Sequence, residues 1–313
     1  MKTISRRSLV AVAGTLPLTM LASRAWCRPA ALDLILPADN VTAYLKMRAG
    51  LETRDLFFWF TGRLDLAVAG EPVKPIINVE SLILRRVERL GPLAWNVIDW
   101  EAALYRPLDG DRYLEPGEQI LNPHTGRSVE PLHYVEGPVR WRFTDEEPRI
   151  FGSRDPLPRT GKPFSYPWRI VAGDIWMTKS SYIKAPNWLS PEEWPLESSG
   201  PQIIVATHSS LKAKLADVMN PRISSAATDF AYTATSGWLP WMLMAQTPGH
   251  VVWAESGKKL FSLDQAAPAH LAMLRRIHPL WFNRPEPWPQ FTNMYLQYKA
   301  QRQPAPPMQP EPA

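Results

Sequence analysis

The sequence predicts a mainly β (α+β) fold, one large antiparallel sheet, strongly curved or barrel-like, with a few short peripheral helices. Three observations lead there. The 313 residues include 33 prolines, about twice the usual share of roughly 5%, and prolines that dense interrupt long helices and central-strand interiors alike. Apolar residues recur with period two over several long stretches. Clusters of Gly, Pro, Asn and Ser separate those stretches, and they turn a chain back on itself.

The first element is a short helix through Val41, Tyr44 and Leu45, capped by Asp39 or Asn40 and stopped at Gly50. From Leu56 to Val68 the period becomes two: Phe58, Phe60, Leu64, Leu66 and Val68 share a face, while Arg63 and Asp65 point away. Pro75–Arg89 and Leu93–Tyr105 repeat this on either side of Gly91-Pro92, which makes a meander. After the turn Asn122-Pro123-His124-Thr125-Gly126 comes a strand, Leu132–Phe143. Its alternation puts His133, Val135, Val139, Trp141 and Phe143 on one face and Tyr134, Glu136, Arg140 and Arg142 on the other. Residues 144–200 are loop-rich, with a strand at Trp168–Met177; Ile203–Val218 starts as strand and can end as helix. Thr228–Ser236 alternates again, and His250–Ala254 with Lys259–Leu263 reads as a hairpin turning at Ser256-Gly257. Pro268 opens a helix that ends with Arg275 and Arg276 before Pro279, proline first and cations last. A short amphipathic helix through Phe291, Tyr295 and Tyr298 closes the ordered part.

Residues 1–25 read as a twin-arginine export signal. Ser5-Arg6-Arg7-Ser8 precedes a small and apolar run, Leu9–Ala22, and Ser23-Arg24-Ala25 offers small residues to a signal peptidase. That run is shorter than the roughly 20 residues that span a bilayer, so no stable membrane insertion is expected. The expected partners are the twin-arginine translocase and signal peptidase, and the expected location is the periplasm. A single β-rich domain then occupies 26–302, and the five-proline stretch 303–313 reads as a disordered tail. Lys2, Arg6, Arg7 and Arg24 supply four of the five net positive charges, so the mature chain is nearly neutral and its composition does not argue for nucleic-acid binding. A lone cysteine, Cys27, forms no intrachain disulfide, and no Cys–His cluster marks a zinc site.

Several landmarks occur together: Trp238-Leu239-Pro240-Trp241-Met242, the Asn122-Pro123-x-Thr125-Gly126 turn leading to His133, His278-Pro279 after the late helix, Phe57-Phe58-Trp59, and Glu80 in the next strand. In that order they resemble the bacterial family catalogued as domain of unknown function 1838, over roughly residues 40–300. The resemblance implies no activity, although many relatives are similar in carrying an export signal. Leu243 stands where a polar residue is expected in relatives, and His124 where an aromatic is commoner. A pocket lined by those positions would take a more apolar ligand.

Motifs for nucleotide or dinucleotide binding, zinc hydrolysis and the nucleophile elbow are absent, so no cofactor is expected. Ser181-Tyr-Ile-Lys184 and Ser209-Ser-Leu-Lys212 lack the companion motifs of penicillin-interacting serine enzymes. The six histidines are not paired at ligand spacing, and no metal is assigned. Acid–base chemistry is the sharper possibility. His133 is an ionisable group on an apolar face, with Glu80 and Glu101 on neighbouring strands as orienting or proton-relay carboxylates; Asp229 is a further candidate. Trp59, Trp176, Tyr232, Trp238, Trp241 and Met242 read as pocket walls, with ordinary core packing as the alternative. The resulting expectation is a cofactor-independent acid–base enzyme, a lyase, isomerase or hydrolase, acting on an apolar or aromatic small molecule. The alternatives are a non-catalytic periplasmic binding protein for such a molecule and an interaction scaffold.

Overall fold

Alternating segments joined by short turns pair with their neighbours in the chain, and the architecture follows from that rule. The computed structural model describes residues 32–150, 160–283 and 285–306. The export signal expected over 1–25 and the tail from residue 307 onward lie outside the described residues. Helix α1 (Pro37–Arg48) leads into three long strands, β1 (Arg54–Val68), β2 (Lys74–Gly91) and β3 (Ala94–Arg106). A small hairpin, β4 (Ile120–Leu121) and β5 (Ser128–Val129), precedes β6 (Tyr134–Phe143) and the short β7 (Arg149–Ile150). The second half contributes β8 (Trp168–Val171), β9 (Asp174–Pro186), β10 (Gln202–Lys214), α2 (Leu215–Met219), β11 (Thr228–Ser236) and β12 (Gly249–Leu260). Three helices close the chain: α3 (Pro268–Ile277), α4 (Pro279–Asn283) and α5 (Met294–Gln301).

Ten strands form one antiparallel sheet in the order β7-β6-β3-β2-β1-β12-β11-β10-β9-β8, curled into a half-barrel. Each half is a meander, and the pairing of β1 with β12 joins the two, with Leu64 opposite Trp253. The mainly β fold with short helices is therefore the observed one.

Curling sends alternate residues of each strand to an inner or an outer face. Two apolar cores fill the inner face. One packs Val41, Tyr44, Leu45 and Met47 of α1 against Phe58, Phe60, Phe143 and Leu211. The other packs Leu64, Ile77, Val79 and Tyr105 against Trp238, Trp241, Met242 and, from α5, Tyr295. On the outer face α3 and α4 cover Phe57, Leu82, Leu84, Trp100 and Leu104.

Two buried lysines tie helix ends to the sheet. Lys259 Nζ donates to the carbonyls of Lys46 (2.7 Å) and Ala49 (2.9 Å) at the end of α1, and to Ser225 Oγ (3.1 Å). Lys46 Nζ donates to Val218 O (2.9 Å) and Asn220 O (2.8 Å) around the end of α2. Each cation meets carbonyls that lack an intrahelical partner, at the negative end of a helix dipole. At the sheet edge, Gly137 exchanges backbone hydrogen bonds with Thr292, and the Gln297 side chain bonds both the N–H and the carbonyl of Val135. These contacts block further strand addition there.

Four expectations need correction. Helix α1 starts at Pro37, with Leu36 before it, and Asp39 instead accepts a hydrogen bond from the Asp33 amide (2.8 Å). Trp168–Met177 is a hairpin, β8 and β9, turning at Ala172 and Gly173, which have φ of 50° and 83°. The expected hairpin at Ser256-Gly257 is one continuous strand, β12. Gly257 lies opposite Phe60, where a Cβ would come 1.9 Å from the Trp59 carbonyl, so this glycine marks close strand approach and not a turn. The fourth is the facing of β6, whose consequence is chemical and is described below.

Substituting Lys259→Met removes one of two donors from each of the Lys46 and Ala49 carbonyls, leaving only the Ala226 amide and the Ser225 hydroxyl, and unties β12 from the end of α1. The expected loss of unfolding free energy is about 3 kcal/mol, measured by urea denaturation. A loss under about 1 kcal/mol would show that the lysine does not hold this joint.

Candidate functional site

Between the two inner cores the sheet carries polar side chains. Glu101 on β3 and Glu136 on β6 are direct cross-strand partners and so share the inner face. Glu255 on β12 lies opposite Gly62 on one side and Tyr232 on the other, and the row continues through Ser209 to Lys179 on β9. Gly62 is needed here because a Cβ would lie 2.7 Å from Glu255 Cγ and 2.1 Å from the Ala254 carbonyl. Below this row Asp99 pairs with Arg85 (2.9 Å) and with Arg48.

A bulge in β6 places Glu136. Asp99 pairs with Val139 and Glu101 with Glu136, so β6 spends an extra residue opposite Trp100. Gly137 has φ of 113°, and a Cβ there would lie 2.6 Å from the Asp99 carbonyl. The extra residue reverses the alternation of the strand's first half. Tyr134 and Glu136 therefore face inward with Val139, Trp141 and Phe143, whereas uninterrupted alternation puts His133 and Val135 on that side.

Enclosing like charges raises their affinity for protons. Burial, with a further push from Glu101, raises Glu136 to about 7 and Glu255 to about 8. Burial also raises Glu101, despite neighbouring Ser81 and Arg85. The three titrate as a set, and at neutral pH the set keeps protons.

A cavity of about 990 Å³ opens where the two edges of the half-barrel face each other. Glu136, Val139 and Trp141 line it from β6; Lys179, Ser181 and Ile183 line it from β9; Trp288, Phe291 and Tyr295 close over it. Glu136 lies inside the curl of the sheet, and its side chain is exposed to the open cavity it lines. Burial lowers the Lys179 amine, and nearby Arg48 lowers it further.

The residues singled out in the sequence separate into three places. Glu101 and Tyr232 face inward, Tyr232 in the row of Glu255 and Glu101 beside Glu136. Glu80 lies on the outer face under α3, with Oε1 accepting from Trp59 Nε1 (2.7 Å) and 3.1 Å from His270 Nδ1. His133 is buried with both nitrogens engaged: Nδ1 accepts from the Tyr105 amide (3.0 Å) and Nε2 lies 2.9 Å from Leu114 O. Burial lowers its pKa, so it clamps two backbone segments as a neutral ring. His133, Glu80 and Glu101 thus do not meet. Trp59 and Trp176 face outward, Trp176 beneath Lys212, and Asp229 faces outward opposite Lys258. Trp238, Trp241 and Met242 are core, and Asn122 Nδ2 donates to Met242 O (2.8 Å), joining the two loop landmarks. Leu243 packs on that core and His124 pairs with Glu71 (3.0 Å), so neither lines the cavity. In both Ser-x-x-Lys matches the serine faces inward and the lysine outward, as three steps along a strand dictate.

Sequence reasoning missed Glu136, Glu255, Lys179 and Trp141 as site residues. Gly137-Pro138 in mid-strand was the available sign of a bulge. Nothing in the sequence indicated which inward positions of β9 and β12 would meet. Among the described residues no three His, Cys, Asp or Glu side chains converge as a metal site, and no helix is long and apolar enough to cross a membrane.

The family described as protein of unknown function (DUF1838) matches residues 53–301, and the chain belongs to it. No curated protein matches the chain.

The carboxyl set gives stability a pH signature. Glu136 and Glu255 bind protons more tightly folded than unfolded, so their contribution is complete below their unfolded values near 4.3 and is lost as pH rises through about 7 and 8. The urea midpoint is expected to be higher at pH 5 than at pH 8.5, and Glu136→Gln should narrow the gap. An unchanged gap in the variant would place Glu136 outside the set.

Proposed function

We propose that this DUF1838 chain binds an apolar or aromatic small molecule in the seam cavity and acts on it as a cofactor-independent acid–base enzyme of the lyase, isomerase or hydrolase type. The observation that supports this reading most is Glu136, a carboxyl raised to about 7 in the wall of an otherwise largely apolar cavity. A group with a pKa near the working pH can both give and take a proton, and such groups contribute about 10²- to 10⁴-fold to proton-transfer steps. Glu101 stands directly behind it as a partner that can share the proton. Trp141, Trp288, Phe291 and Tyr295 supply aromatic walls that favour flat or greasy ligands over polar ones.

Twin-arginine export to the periplasm, with the translocase and signal peptidase as transient partners, belongs to the same proposal. Its support is Arg6-Arg7 ahead of the apolar run. An Arg6→Lys, Arg7→Lys double variant should accumulate as precursor in the cytoplasm; normal maturation of the variant would overturn this route.

The chemical test uses a panel of aromatic small molecules, with tryptophan quenching reporting binding and product analysis reporting turnover. Glu136→Gln is expected to keep ligand affinity within a few-fold and lower turnover by at least about 100-fold. Unchanged turnover removes Glu136 from the chemistry. Ligands that bind and are never transformed would favour the non-catalytic binding protein.

A further inference from the structure

Lys179 is the one lysine among the residues that line the cavity. Its Nζ lies 5.6 Å from the centroid of the Trp141 ring and 5.9 Å from that of Tyr166. The same indole is approached by Arg48, whose Cζ is 5.7 Å from the centroid. An amine and a guanidinium therefore share one aromatic ring, and the fixed charge of Arg48 disfavours a second charge beside it. Asp99, the nearby carboxylate, is held by Arg48 and Arg85. Among the described residues Lys179 has no carboxylate partner. A permanent guanidinium next to it, apolar walls and no counter-ion are the conditions that turn a lysine into a nucleophile. Burial and Arg48 lower its proton affinity accordingly.

We propose that Lys179 captures the carbonyl of an apolar or aromatic aldehyde or ketone as an imine, with Glu136 as the proton donor in the same cavity. This rests on the cavity reading above and names the substrate's reactive group. The amine lone pair attacks the carbonyl carbon and forms the C–N bond. The oxygen takes one proton from the nitrogen and one from the Glu136 carboxyl, the C–O bond breaks, and water leaves. The products are a protonated imine, with one hydrogen kept on nitrogen, and the Glu136 carboxylate. That carboxylate is then placed to remove a proton from the carbon next to the imine, the step an acid–base lyase or isomerase requires. No oxidant or reductant is needed.

The test uses the full-length mature protein with 2-naphthaldehyde, its alcohol 2-naphthalenemethanol, and 2-naphthoate, with cyanoborohydride added to trap any imine. Tryptophan quenching reports filling of the cavity. Peptide mass mapping is expected to find one equivalent of reduced adduct on Lys179, formed at least tenfold faster than on any other lysine. Lys179→Arg should abolish that adduct while leaving quenching by the alcohol, and Glu136→Gln should slow trapping at least tenfold. Quenching by the aldehyde with no preference for Lys179 overturns the imine and leaves the cavity standing. Much tighter binding of 2-naphthoate, without selective adduct, would make Lys179 a counter-ion instead and also overturns it. If neither aldehyde nor alcohol quenches and no adduct forms, the cavity reading falls with it. Because trapping and mapping are read on the unmutated chain, the result does not depend on any variant folding.

Discussion

A ten-stranded sheet that curls without closing must fill its own hollow, and the rest of the molecule answers that constraint. Side chains of a half-barrel this wide do not meet in the middle by themselves. Helix α1 supplies Tyr44 and Met47 to one part of the hollow, and the segment around Trp238 and Trp241 with α5 supplies the other. What remains between them is the polar row, and where the sheet stops short of closure, a cavity. The site is in this sense the part of the interior that the two plugs leave unfilled.

Keeping Glu101 opposite Glu136 on an inner face works against stability. Like charges directly across a strand pair repel, and enclosing them withholds the water that would screen the repulsion. A fold that required only stability would place Leu or Val there, as it does one layer away at Leu64 and Val79. The carboxyls hold protons more tightly than free ones, and the apolar cores on both sides, the Lys259 anchor and the ion pairs of Asp99 hold the surrounding backbone in place. Features that cost stability and are surrounded by strong support are characteristic of sites that do work.

Much of the architecture was legible in the sequence for a definite reason. Period-two patterning in β1, β2, β3 and β11 reports burial of one face, and that burial is what orders those strands. The glycines were less transparent. Gly257 resembled a turn, although its lack of a side chain serves close approach to β1; Gly137 is the residue that flips β6. The site was read only in part. Glu101 and Tyr232 face inward without lining the cavity, and His133 and Glu80 drew attention because an ionisable residue in an apolar pattern looks functional whether it serves a cavity or a buried hydrogen bond. His133 clamps Tyr105 to Leu114, and Glu80 receives Trp59, both structural tasks. Glu136 was assigned to the opposite face because a single inserted residue inverts everything on its far side. Lys179 and Trp141 come together only through the curl of the sheet, and no local pattern encodes a meeting of its two edges.

The β1–β12 seam also bears on the order in which the chain can assemble. Every other strand pairing in the large sheet links near neighbours along the chain, whereas Leu64 and Trp253 are about 190 residues apart. Loop-closure entropy delays such a contact until the two meanders have formed. Until then, β1 and β12 each expose an unpaired edge with large apolar residues beside it, among them Phe58 and Phe60. The middle of the finished sheet is thus the most vulnerable surface of the unfinished one, and crowding or slow synthesis of the second half would be felt there as aggregation before any effect on the cavity.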